Sequence, residues 1–243
     1  RSTLFPYTTL FRSALAIVGD LHLSNNENIK KPMSVFGDNW RAHDEKIKNY
    51  WKENVKDGDI VIIAGDTSWA MKPEEVKADI DWIEELPGKK IMIKGNHDFW
   101  WQSVNKLRKA FPGINFIQNS CAKEGNVVIC GSRGWICPGS DGFEEGDAKI
   151  FRRELFRMEA SLKEGVKSGA EEIIVAMHYP PTNEKKQPSE FTAMFEKYGV
   201  TNVYYGHLHG KENFSRGFEG NLNGVEYKLI SIDKLNFTLW KIR

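Results

Sequence analysis

KIMIKGNHD, residues 90–98, is a short apolar run that meets a glycine and then three side chains able to ligate metals or move protons. A burst of this length reads as a strand buried on both faces. Gly95 lets the backbone turn sharply out of the sheet, which leaves Asn96, His97 and Asp98 at the strand's carboxyl end. The same arrangement recurs on both sides of it. ALAIV (14–18) runs into Gly19-Asp20-Leu21-His22, DIVIIA (59–64) into Gly65-Asp66, EIIVAM (172–177) into His178, and TNVYY (201–205) into Gly206-His207-Leu208-His209. In open α/β sheets ligands bind in the crevice beyond the carboxyl ends of the strands, so these five loops can converge on one site.

Helical patterns separate the strands. Pro73, Glu74 and Glu75 open one helix, with Val76, Ile80 and Ile83 on its apolar stripe, and Phe151, Leu155, Met158 and Leu162 mark another. After residue 211, GVEYKLISI and LNFTLWKI alternate as antiparallel strands do. At 243 residues and 40% hydrophobic, the chain can bury one substantial core as a single domain.

Five of the six histidines sit at strand ends, and only His43 falls within a helical pattern. Each buried imidazole needs its own hydrogen-bond partners, so five together are explained economically by a metal site. Asp20, Asp66 and Asn96 with His22, His178, His207 and His209 exceed what one ion takes. With Asp66 bridging, each of two ions receives four protein ligands, and GHLH supplies one imidazole to each. Two such ions share a hydroxide and clamp a phosphoryl group for in-line attack. A mixed imidazole and carboxylate set favours Mn, Fe, Zn or Co.

In order, Asp20-x-His22, Gly65-Asp66, Gly95-Asn96-His97-Asp98, His178 and Gly206-His207-x-His209 resemble the five motifs of the calcineurin-like metallophosphoesterase superfamily. The resemblance spans Asp20 to His209. It implies an α/β fold, a four-layer αββα sandwich of two mixed β-sheets flanked by helices, with the C-terminal strands completing the second sheet. It further implies one metal on Asp20, His22, Asp66 and His209 and the other on Asp66, Asn96, His178 and His207. His97 is then the catalytic residue beside the phosphate, as transition-state donor or as the acid that protonates the leaving oxygen. Many members carry Asp or Asn three residues after the bridging aspartate, a carboxylate that orients the GNH histidine in the protein-phosphatase branch; here that position is Trp69, leaving Asp98 as the candidate substitute. Purple acid phosphatases place a ligating tyrosine there, and an indole cannot ligate.

Substrate contacts are less constrained. Arg133, in GSRGW (131–135), reads either as a phosphate fork or as a solvent-facing arginine. Tyr179 is a second candidate, and Trp69, Trp100, Trp101 and Trp135 either wall a pocket or belong to the core. The favoured function is a metal-dependent phosphoesterase acting on a small phosphodiester or phosphomonoester. The alternatives are a nuclease and a non-catalytic scaffold that keeps the fold. A formal net charge of +1 lacks the basic field of a nucleic-acid binder.

Three cysteines, Cys121, Cys130 and Cys137, form no CxxC pair and suit a reducing, cytoplasmic compartment as buried or semi-buried thiols. No apolar run reaches membrane-spanning length. The opening RSTLFPYTTLFRS, residues 1–13, begins without Met and matches a translated sequencing adapter; it is set aside from the fold, and the catalytic domain is expected to cover residues 14–243.

Overall fold

The computed structural model describes residues 13–243, so the reading of residues 1–13 as an adapter lies, Ser13 apart, outside the described residues. In chain order the strands are β1 Leu15–Val18, β2 Ile60–Ala64, β3 Lys89–Ile93, β4 Ile114–Ile117, β5 Cys121–Glu124, β6 Val127–Ser132, β7 Glu172–Met177, β8 Val200–Tyr205, β9 Gly220–Leu222, β10 Val225–Leu229 and β11 Trp240–Lys241. The helices are α1 His43–Asn54, α2 Lys77–Glu84, α3 Val104–Ala110, α4 Glu145–Lys167, α5 Glu190–Lys197 and α6 Lys211–Phe214. They build two mixed sheets, one in the order β11-β1-β2-β3-β4 and the other in the order β5-β6-β7-β8-β10-β9.

Side-chain alternation sorts the strand residues into layers. In β2, Ile60, Ile62 and Ala64 face the second sheet, whereas Val61 and Ile63 face α1 and α2. In β7, Ile174 and Ala176 fill the inter-sheet layer while Val175 and Met177 meet the helices on the other side. Both faces are buried, which is why these strands read as continuous apolar runs and not as alternating ones. The result is the expected αββα sandwich. On the helix side of the first sheet, Ile47 and Trp51 of α1 and Ile80 and Ile83 of α2 cover the core; on the second, Phe151, Met158 and Leu162 of α4 do so.

Three expectations change. Pro73 lies in a turn, and α2 begins only at Lys77; the Glu75 carboxylate accepts the Met71 and Lys72 amides, closing that turn before the helix. GVEYKL forms β10, which is antiparallel to β9 but parallel to β8. The C-terminal strands do not all complete the second sheet, because β11 pairs antiparallel with β1 at the edge of the first. The preceding LNFTL is a turn that buries Phe237 and Leu239. Cys130 and Cys137 are buried and Cys121 is half-buried, as expected. Among the described residues, no helix is long and apolar enough to cross a membrane.

Candidate metal centre

The carboxyl ends of β1, β2 and β3 from one sheet and of β7 and β8 from the other lie side by side, and the loops that follow carry all seven expected ligands. The backbone there is unusual. Asp20, His22, Asp66 and His207 have φ of 65°, 47°, 48° and 75°, a region that non-glycine residues seldom enter and that clusters at functional sites. Gly65, beside Asp66, takes the expected turn with φ of 89°, whereas Gly95 and Gly206 serve another need. At Gly95 an added Cβ would meet the Asp66 amide and carboxylate, and at Gly206 it would meet the Asp20 carboxylate. Close approach, not a positive φ, demands glycine at both positions.

Two groups of donors result. In the first, His22 Nε2 faces His209 Nε2 at 3.1 Å, and Asp20 Oδ1 lies 3.4 Å from the latter. In the second, His178 Nε2 lies 2.7 Å from Asn96 Oδ1, 3.3 Å from Asp66 Oδ2 and 3.3 Å from His207 Nδ1. Asp66 Oδ2 also approaches His22 Nε2 at 3.9 Å, so this carboxylate stands between the groups. Its other oxygen accepts the His97 amide at 2.8 Å. Two sets, Asp20-His22-His209 and Asp20-Asp66-His178, are compact enough to hold an ion.

The donor set fits cations. His178 Nδ1 donates to the Ala64 carbonyl at 3.2 Å, which leaves the Nε2 lone pair facing the oxygens of Asn96 and Asp66. In the neutral tautomer lone pair then meets lone pair, so the arrangement calls for positive charge at the point of convergence, either a metal ion or the proton that the neighbouring carboxylates favour on His178. Similarly, His209 Nδ1 donates to Asp233 Oδ1 at 3.0 Å, turning Nε2 toward His22 and Asp20. Asp233 also accepts the Gly210 amide at 2.9 Å. His22 Nδ1 is buried without a hydrogen-bond partner among the described residues.

Electrostatics agree with this picture. Burial lowers His209, but Asp20 and Asp233 outweigh it and hold the imidazole at about 10; burial likewise lowers His178, which Asp66 lifts to about 8. Burial dominates at His22 and His207, which fall to about 3. Burial raises Asp20, yet His209 and His178 bring it down to about 2. The carboxylates thus make a buried negative field that retains positive charge at the cluster.

His97 stands apart from both groups. Among the described residues no side chain hydrogen-bonds its ring; it packs instead on Trp69, centroid to centroid 4.6 Å. The same indole stacks on His22 at 4.7 Å and is held by its Nε1–H to Met33 Sδ at 3.2 Å, with the Lys31 ammonium 4.5 Å from the ring centroid. Aromatic packing on Trp69, not a carboxylate, braces His97 here.

Asp98 does not substitute for that carboxylate. Its side chain is fully buried and turned inward, accepting the amides of Thr67 at 2.9 Å, Ser68 at 3.3 Å and Gly95 at 2.7 Å, and the Trp100 indole at 3.1 Å. It clamps the β2 loop to the β3 loop. Burial and the nearby Asp66 raise it to about 6.

Arg133 follows neither reading. Its guanidinium lies 3.3 Å from Glu154, a fully buried carboxylate on α4, and stacks over Trp135 at 4.3 Å. A buried charge needs a partner, and Arg157 at 2.8 Å completes the pairing. The Arg133 carbonyl instead accepts the His178 and Tyr179 amides, so this residue supports the site through its backbone. Tyr179 is buried with its ring 4.1 Å from that of His207 and 4.9 Å from that of Trp135. Trp100 and Trp101 belong to the core.

Two supports escaped the sequence reading. Asp233 has no motif around it. Asp79 on α2 is buried and accepts the Ser68 hydroxyl and the Asn25 amide, tying the β1 and β2 loops together. His43 is a third buttress, its Nε2 3.1 Å from the Leu21 carbonyl. Partners like Asp233 on ligating histidines typically contribute about 10- to 100-fold in metal affinity. Asp233→Asn should therefore weaken retention of divalent metal by about that factor, read by competition with a chelator; unchanged affinity would separate Asp233 from the centre.

Comparison with known proteins agrees with the site. Residues 14–211 match the family described as calcineurin-like phosphoesterase. Over 81 residues the chain is 33% identical to the Gene 66 protein of Mycobacterium phage L5, a match covering 32% of this chain and 37% of that protein. The chain thus matches just over a third of the curated relative's length. Among solved structures, a protein of unknown function from Aquifex aeolicus superposes with a TM-score of 0.52 at 12% identity, over 94% of this chain and 95% of the other, a likeness of fold alone. Together with the converging loops of its two sheets, the match over residues 14–211 shows that the chain belongs to the calcineurin-like phosphoesterase family.

Proposed function

We propose that the protein is a phosphoric ester hydrolase with a dinuclear metal centre, acting on a small phosphomonoester or phosphodiester. The observation that carries this reading is the position of Asp66, whose Oδ2 lies 3.3 Å from His178 and 3.9 Å from His22, between two donor groups. Asp20, His22, Asp66 and His209 hold one divalent cation, and Asp66, Asn96, His178 and His207 hold the other. Mn, Fe, Zn or Co suits the mixed nitrogen and oxygen donors. Such a pair, when bound, supplies a nucleophile at neutral pH and neutralises phosphoryl charge.

The chain's own residues supply the rest. Asp233 and the Ala64 carbonyl fix the tautomers of His209 and His178, so both present Nε2 inward. His97, whose ring makes no side-chain hydrogen bond among the described residues and is braced by Trp69, donates a proton or a hydrogen bond to the phosphoryl or leaving oxygen. Left-handed backbone at four of the seven ligands favours an enzyme over a scaffold, because such strain persists where function requires it. The near-neutral charge of the chain offers no basic field for a nucleic-acid polymer and speaks against a nuclease, which leaves a small phosphoester as the favoured substrate. A cytoplasmic location fits the free thiols.

The test is hydrolysis of p-nitrophenyl phosphate and bis-p-nitrophenyl phosphate after chelation and again with each metal restored. Activity that returns with metal supports the reading, and the ratio of the two rates assigns monoester or diester. A folded, metal-loaded protein inert toward both would contradict it.

A further inference from the structure

A cavity of about 230 Å³ opens beside His207 and Tyr179. Ile136, Cys137 and Leu208 give it apolar walls. Thr182 lines it too, is 4% exposed, and its hydroxyl has no hydrogen-bond partner among the described residues. That hydroxyl is closed off from the cavity, so Thr182 contributes wall and no polar contact.

Charge at the cavity is already balanced against anions. Arg216, the one basic residue among those lining it, is 3.0 Å from Glu184 and 3.7 Å from Asp141, both of which also line the cavity. Two carboxylates on one guanidinium leave a net negative charge there. A second phosphate would be repelled, whereas an uncharged group would lose little on entering. The volume lies below the roughly 300–1,000 Å³ of pockets for drug-sized ligands, which suits a single ring or short branched chain.

We propose that this cavity is the subsite for the organic group of the phosphoester. It takes an uncharged, apolar-bodied group in preference to one bearing a second anion. The inference rests on the phosphoesterase reading, since His207 joins the cavity to the metal centre. Tyr179, packed on His207, forms the shared wall and acts as a positioning residue.

Calorimetry on the full chain loaded with manganese tests this with phenylphosphonate, methylphosphonate and 4-carboxyphenylphosphonate. Burial of the ring should make phenylphosphonate bind about 10-fold or more tightly than methylphosphonate. The added carboxylate should remove that advantage. Ile136→Trp, which fills the cavity, should bring the phenyl-to-methyl ratio close to one. Should that variant not fold, Ile136→Phe, a smaller filling of the same wall, should lower the phenyl-to-methyl ratio in the same direction. Phenylphosphonate that fails to bind, or binds no better than methylphosphonate, overturns the subsite. Failure of the wider reading looks different: ring-selective binding without hydrolysis of either p-nitrophenyl phosphate or bis-p-nitrophenyl phosphate under any metal leaves the subsite standing and removes the enzyme.

Discussion

Asp66→Asn should lose bound metal and hydrolytic activity together, with the rate falling by more than about 100-fold, beyond the roughly 10- to 100-fold typical of residues that only support a ligand. The substitution changes the charge with almost no change of shape. An amide still presents one oxygen to the His97 amide, now accepted at 2.8 Å by Asp66 Oδ1, so the β3 loop keeps its anchor. What disappears is the negative oxygen standing between His178 and His22. Metal content by mass spectrometry, measured beside initial rates, checks the effect. Full activity with two metals retained would remove Asp66 from the bridging role.

Asp98→Ala should destabilise the fold instead of altering chemistry directly. The carboxylate is fully buried and accepts three backbone amides and the Trp100 indole. Removing it strands those donors inside the protein. Unsatisfied buried donors at a charged acceptor cost about 3–5 kcal/mol in total, which for a chain of this size lowers Tm by about 6–20 °C. Asp98→Asn keeps the Oδ1 contacts to Thr67, Ser68 and Trp100 and should lose about half as much. Thermal unfolding of the two variants decides the matter. An Asp98→Ala protein with unchanged Tm but abolished activity would return Asp98 to a direct role at the site.

The contrast between these aspartates marks where sequence reading succeeds. The five strands were legible because sheets buried on both faces leave continuous apolar runs, and β2, with all five residues buried, is the clearest case. The cluster of strand-end loops was legible because five histidines at strand ends are hard to explain by packing alone. Asp98 stands within the same GNHD run, yet its neighbour in sequence is not its neighbour in space. Its side chain reaches back 31 residues to Thr67, and nothing local encodes that.

Asp233 was silent for a related reason. It meets His209 only because the turn after β10 returns to the metal centre, a contact set by the whole topology. Glu154 did leave a signal. It shares the face of α4 that carries Phe151 and Met158 and is fully buried; a charge on an apolar stripe needs cationic partners, and Arg133 and Arg157 supply them. The misplaced C-terminal strands have a simple cause as well. Alternation identifies a strand with one wet face but does not say which sheet edge receives it, and β11 joins the first sheet.

The most direct test of the central claim is a crystal structure of the protein grown with manganese, with anomalous scattering collected at the metal edge. Two peaks about 3.5–4 Å apart on either side of Asp66 are the predicted result for a centre that clamps a phosphoryl group. One peak, or two that do not share Asp66, would contradict the dinuclear account.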